Sequence, residues 1–479
     1  MNDALAGSAL ASRPDAIRFG DGVAVLACVL LIPAVLYAAH AAPLLRYAYP
    51  AMNLALAGYL YARRSPWFAG HVLLLFCFVS LVRRLADDQS GFDPSSPVLI
   101  TPYLCALFTA HALVEYWLRP RPQFLGAILV ILMAITYGAM LAVLEGNIVA
   151  AAIDALKWAA GPLFAVYVLA QRQARHEVRE VVENCLVWAG AFMGLYGVFQ
   201  YVNPASWDLT WIRGVADLGM TSIGQPEAFG MRVFGTMNSP GSLGAVLAAG
   251  ILVAFKRPLP VAVPAITLML LGLALAQYRT IWAGTALGIV MLMFTRPGTF
   301  RPANVVAAVA VLLGISAGML VPQIRETVVQ RASSLTNLRA DYSGEERLGQ
   351  YQILARDPAI FAGEGLGQTG SARRLSGMSA VILDSGLIEI WRGLGLIAGT
   401  AFLGALTLLV LSLFKRAPDI AHHLDYDRAI VGTAFLQLPM GSVHTGEASV
   451  VAWLFLGLGL AAIAGNRSAG NPLAGSRLP

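Results

Sequence analysis

Long apolar runs, broken by short clusters of Arg, Pro, Gly and Asp, fill most of the chain from Phe19 to Ala464. A helix that crosses a bilayer needs about 20 mostly apolar residues, because lipid offers no partner for backbone N–H and C=O groups. Runs meeting that need fall at 22–39, 43–62, 67–85, 97–118, 124–144, 150–170 and 180–202, then at 236–255, 259–276, 280–295, 303–322, 394–414, 428–443 and 446–465. They predict an all-α, polytopic membrane helix bundle of about fourteen spans, with about twelve as the alternative. Two connections are too long to be turns. They divide the chain into N-terminal spans (1–202), a first loop (203–235), middle spans (236–322), a large helical loop (323–393), and C-terminal spans with a tail (394–479).

Charge supplies the orientation. Loops on the cytoplasmic side of bacterial membranes are rich in Lys and Arg. Every second connection here is basic: Arg63 and Arg64, Arg119 and Arg121, Arg172 with Arg175 and Arg179, Lys256 and Arg257, Arg296 with Arg301, then Lys415 and Arg416. Both termini are therefore expected in the cytoplasm, and both long loops on the periplasmic side. The polar start, Met1 to Asp21, runs into an apolar stretch without an evident small-residue cleavage site, so a retained first helix is expected.

Composition narrows the class further. The chain has 479 residues, 57% hydrophobic and 13% charged, whereas a soluble domain carries about 25% charged residues. So few charges could not cover a water-soluble enzyme of this size. The net charge of +6 is scattered and forms no basic stripe, which argues against nucleic-acid binding. Cys28, Cys77, Cys105 and Cys185 each sit in an apolar run with no motif spacing, and read as packing residues. No metal-ligand cluster or phosphate-cradling loop is recognisable, and no cofactor is expected.

Candidate chemistry gathers on the outer side. The large loop balances eight arginines against eight carboxylates and contains no lysine. A guanidinium grips phosphate oxygens in a planar fork, but only Lys157, Lys256 and Lys415 are lysines among 33 basic residues, so arginine usage alone says little. Arg279 stands between two apolar runs. A charge at that depth faces a cavity or partner, or else snorkels as an interfacial anchor. Arg232 precedes Gly235, Asn238, Pro240 and Gly241, which form a tight turn into a helix and can present backbone N–H groups to an anion; an ordinary capped helix start is the competing reading. Asp384 would N-cap the helix that holds Glu389, or else accept a proton from a sugar hydroxyl. Arg213, Arg356, Arg392 and His444 are further candidates for substrate contact. His444, next to Glu447 between the last two spans, also reads as structural. Ionisable residues inside spans are few, mainly Arg46 and Lys157.

Taken in order, several stretches resemble the O-antigen ligase and polymerase family of bacterial envelope membrane proteins. They are Arg232-Val-Phe-Gly-Thr-Met-Asn-Ser-Pro-Gly, Tyr278-Arg-Thr-Ile-Trp-Ala-Gly, Arg347-Leu-Gly-Gln-Tyr-Gln-Ile-Leu-Ala, Asp357-Pro-Ala-Ile-Phe-Ala-Gly-Glu-Gly-Leu-Gly, Asp384-Ser-Gly-Leu-Ile-Glu and Gly393-Leu-Gly-Leu-Ile-Ala-Gly. The resemblance covers residues 180–465. It implies a periplasm-facing glycosyltransferase of the inner membrane whose donor is a glycan on undecaprenyl diphosphate, needing neither metal nor nucleotide sugar. Arg232, Arg279 and Arg347 would bind the diphosphate, and Asp384 and Glu389 would be the catalytic carboxylates. The acceptor would be a second glycan or lipid A–core, in contact with membrane lipids and other polysaccharide-assembly membrane proteins. Ligases of the family carry a histidine where this chain has Asp384. That departure favours a polymerase of oligosaccharide repeat units over a ligase. The rival of another class is a transporter or flippase of lipid-linked sugars.

Overall fold

The computed structural model describes residues 14–119, 122–171, 175–219, 222–295, 349–354, 360–368, 385–415 and 421–469, with single positions 322, 325, 326, 329, 356, 373 and 383 between them. Among these residues every named element is helical, and the sole β feature is an isolated bridge between Gly224 and Met231. The helices are α1 (Pro14–Leu26), α2 (Ile32–Ala38), α3 (Leu45–Ala62), α4 (Trp67–Ser90), α5 (Thr101–Ala106), α6 (Thr109–Trp117), α7 (Leu125–Leu144) and α8 (Ile148–Ala170). They continue with α9 (Arg175–Val202), α10 (Ser206–Asp217), α11 (Pro240–Ala254), α12 (Leu259–Ala276), α13 (Arg279–Thr295), α14 (Gly386–Leu413), α15 (Ala421–Phe435) and α16 (Gly446–Ala469).

Nine helical stretches of the described chain are long and apolar enough to cross a membrane, and α11 and α13 are shorter apolar helices. The protein is a multi-pass membrane protein. Its α4 is almost wholly buried and packs against α3, α5, α9 and α10, with its charged residues gathered near its C-terminal end. Small residues let helices approach closely, as packing in lipid favours. A Cβ on Gly161 of α8 would stand 2.3 Å from Trp453 of α16, and one on Gly457 of α16 would stand 2.8 Å from the Cα of Ala165 of α8.

The structure departs from the hydropathy reading in one place. The span expected at 428–443 is absent, because α15 ends at Phe435 and the chain turns through a short 3₁₀ segment at Leu438–Met440. Pro439 has no N–H to extend the helix, and Gly441 is fully extended. α14 is broken at Gly395 (φ 77°, ψ 172°), so a short helix from Gly386 that carries Glu389 and Arg392 precedes the span, which starts close to the expected 394. The span expected at 303–322 lies outside the described residues.

Buried charge fixes the first loop. α10 lies against α4, with the Arg84 guanidinium and the Asp208 carboxylate 2.7 Å apart and both fully buried. Arg84 also donates to the Gly235 carbonyl at 2.7 Å. We call the end of the bundle that holds this ion pair the outer end.

Candidate functional site

Four helices start at one place on the outer end. Ser239 caps α11, its Oγ accepting the N–H of Ser242 at 3.0 Å. α13 starts at Arg279, directly after Tyr278, whose ring would lie 3.2 Å from a Cβ on Gly241. α14 starts at Gly386, packed so tightly on the chain before α16 that a Cβ there would stand 2.7 Å from the Gly441 carbonyl oxygen and 3.0 Å from His444 Nδ1. α16 starts at Gly446. Between them lies a cleft of about 350 Å³ lined by Ser239, Ser242, Tyr278, Leu383, Gln437, Ser442 and Glu447, among others. Small-molecule pockets run from about 300 to 1,000 Å³. Each helix start carries unpaired N–H groups and roughly half a positive charge, so four of them make a cleft that favours an anion.

Arg232 and the turn that carries Arg279 lie beside the cleft, which Tyr278 lines while neither arginine does. The Arg232 guanidinium lies 5.8 Å from the centre of the Tyr278 ring and donates to the carbonyls of Gln277 and Ser222, both at 3.3 Å. The turn that carries Arg279 is therefore braced by Arg232, although 47 positions separate the two residues in sequence. Arg347 and Asp384 lie outside the described residues. Leu383, next to Asp384, lines the cleft. The capping position of α14 belongs to Ser385 and not to Asp384: Ser385 Oγ accepts the N–H of Ile388 and exchanges a hydrogen bond with Tyr351 at 2.8 Å.

Glu389 of α14 and His444 of the loop before α16 are brought together, with Nε2 of the histidine 3.6 Å from the carboxylate. Ser442, a cleft residue, donates to Glu389. His444 sits in the loop before α16, fully buried, its ring centre 4.3 Å from that of Trp158. Burial pushes its pKa down to about 3, against the pull of the Asp154 carboxylate, so the imidazole is neutral. Neither ring nitrogen has a hydrogen-bond partner among the described residues. That burial fits the structural reading of His444 better than direct substrate contact.

The remaining candidates separate. Arg392 pairs with Glu364 at 2.7 Å, and its carbonyl accepts the Glu364 N–H, so it serves to hold a Gly-rich strap. That strap, residues 363–367, threads between α7, α8 and α14: Leu366 N–H bonds to the Gly138 carbonyl and Gly367 N–H to the Asp154 carboxylate, both at 2.9 Å. Arg213 and Arg356 are exposed and do not line the cleft. Among the described residues no three His, Cys, Asp or Glu side chains gather in a way that could hold a metal ion.

Glu447 is the cleft residue that hydropathy and motif order did not single out. Its Oε2 accepts the Ser242 hydroxyl at 3.0 Å, and Ser242 in turn accepts from Ser239 at 3.0 Å. Lys157 of α8 acts electrostatically on both Glu447 and Asp154. Nothing local flags this carboxylate, since its serine partner lies 205 positions away. Compared with known proteins, the chain matches no family model and no curated protein.

Proposed function

We propose that the protein is a periplasm-facing glycosyltransferase of the bacterial inner membrane that polymerises oligosaccharide units carried on undecaprenyl diphosphate. The observation that carries this reading is the cleft at four converging helix starts, flanked by the Arg232-braced turn that bears Arg279. A lipid-linked diphosphate is an amphiphile whose anionic part stays at the membrane surface. A positively polarised cleft at the end of an apolar bundle suits that geometry.

In the reaction, an acceptor hydroxyl attacks the anomeric carbon of the donor sugar. The bond from that carbon to the phosphate oxygen breaks, and undecaprenyl diphosphate departs with the bonding electrons. Negative charge grows on the phosphate oxygens as that bond breaks. Pre-oriented donors at the leaving group are worth about 10²–10³ in rate each, and Arg279 and the helix-start N–H groups supply them here.

A second reading, transport of the same glycolipid, draws on α11 and α13, apolar helices shorter than the candidate spans. A third keeps the chemistry and changes the acceptor to lipid A–core. One experiment separates polymerisation from ligation. The host gene is deleted and restored as wild type or Arg279→Ala, and surface polysaccharide, lipopolysaccharide and lipid-linked glycans are analysed. Polymerisation predicts that single units accumulate on the lipid carrier while lipid A–core stays normal. Long polymer on the carrier with bare core would mean ligation. Full-length surface polymer from the deletion strain would sink the reading.

A further inference from the structure

We propose that Glu447 binds the hydroxyl of the acceptor sugar and takes its proton during transfer. The inference rests on the glycosyl-transfer reading above and assigns the acceptor side of the same cleft. Among the described residues three carboxylates lie near the cleft, and only one of them lines it. Asp154 is buried and committed to the Gly367 N–H. Glu389 reaches the cleft through Ser442. Glu447 stands on the wall itself.

The wall around Glu447 suits a sugar better than a phosphate. Ser239 donates to Ser242 and Ser242 donates to Glu447, so two hydroxyls and a carboxylate form a continuous polar strip. A second anion would be repelled by that carboxylate, whereas a sugar hydroxyl can donate to it. Tyr278, the neighbour of Arg279, lines the same cleft. On this proposal the substrates divide accordingly, with the diphosphate of the donor at the Arg279 turn and the acceptor hydroxyl at Glu447.

The step balances without a further reactant. The acceptor oxygen forms a bond to the anomeric carbon, its proton passes to Glu447, and the carbon–oxygen bond to the diphosphate breaks. Release of that proton to water resets the site. A general base in this position contributes about 10²–10⁴ in rate.

The test compares Glu447→Gln, Glu447→Asp and Arg279→Ala in the deletion host and as purified full-length protein in lipid nanodiscs. Glu447→Gln keeps the side-chain shape and an oxygen for Ser242. It is expected to lower polymer by at least about 100-fold, with single units held on the carrier and normal protein in the membrane. Glu447→Asp is expected to recover part of the activity. Binding of undecaprenyl diphosphate, used as the probe, should be unchanged in Glu447→Gln and weakened in Arg279→Ala. Wild-type polymer from Glu447→Gln would overturn the proposal, as would loss of probe binding in that variant equal to the loss in Arg279→Ala. If Arg279→Ala alone leaves polymer and probe binding intact, the glycosyl-transfer reading falls first and this inference with it.

Discussion

Two groups of buried charge lie at the outer end of the bundle, and they are built to different plans. In the first, the Asp208 carboxylate accepts three hydrogen bonds, from Arg84, Tyr196 and Gln200, at 2.7–2.8 Å. The Arg84 guanidinium lies between the Trp211 and Phe234 rings, 5.8 and 4.8 Å away, and neither charged side chain meets solvent. In the second, Glu447 shares a wall with open space, and His444 has no hydrogen-bond partner for either ring nitrogen among the described residues. Arginine and carboxylate are present at both places. A sealed ion pair, closed to solvent, ties the first loop to α4. Groups beside an open cleft retain capacity for something that is not protein.

Substitutions can break that comparison, and the largest effect is expected in the sealed pair. Arg84→Ala leaves Asp208 buried without its counter-charge and should cost about 3–5 kcal/mol, read as a large fall in thermal stability of the detergent-solubilised protein. Arg279→Ala should do the reverse, lowering polymer by about 100-fold or more with the unfolding temperature close to wild type. Equal losses of stability in the two variants would erase the distinction.

A smaller effect tests the strap that closes the back of the site. Gly365 has φ +85°, and a Cβ there would stand 2.7 Å from the backbone nitrogen of Ala142. Gly365→Ala should therefore cost about 1–3 kcal/mol from strain and overpacking, seen as reduced membrane yield and a lower unfolding temperature. The smallest effect is at the opposite end of the bundle, where Arg179 grips Asp427 with two bonds of 2.8 and 2.7 Å and Lys256 donates to Glu183. His423 borders this group. Burial and the cations Lys256 and Arg179 depress its pKa from 6.5 to about 4. The neutral form is therefore favoured in the folded protein, and stability present above pH 6.5 is lost as the pH falls from there towards 4. A pH series of unfolding temperatures should show that slope, and His423→Gln should flatten it.

Much of the bundle was legible because lipid imposes one rule on every span. The run at 259–276 matches α12 residue for residue, and the ends of α7, α8 and α9 fall within a few positions of expectation. The same rule failed at 428–443, where apolar residues surround a proline and a glycine that end the helix early. Motif order placed Arg232 and Arg279 in one neighbourhood, and the Tyr278 ring joins them. Contacts across hundreds of positions were not legible. Glu447 with Ser242 and Arg84 with Asp208 depend on which helix starts and ends meet, and no local pattern encodes that. Arg392 pairs with Glu364, 28 positions away, and arginine spacing alone does not distinguish an internal clamp from a ligand site.

The central claim is that this cleft breaks a sugar–diphosphate bond. Its most direct test places the purified protein in liposomes with undecaprenyl-diphosphate-linked units extracted from the deletion host, and follows free undecaprenyl diphosphate together with glycan length. Release of the carrier in step with chain growth, abolished by Arg279→Ala, is the predicted result. Glycolipid that reaches the opposite leaflet chemically unchanged, with no carrier released, would contradict it.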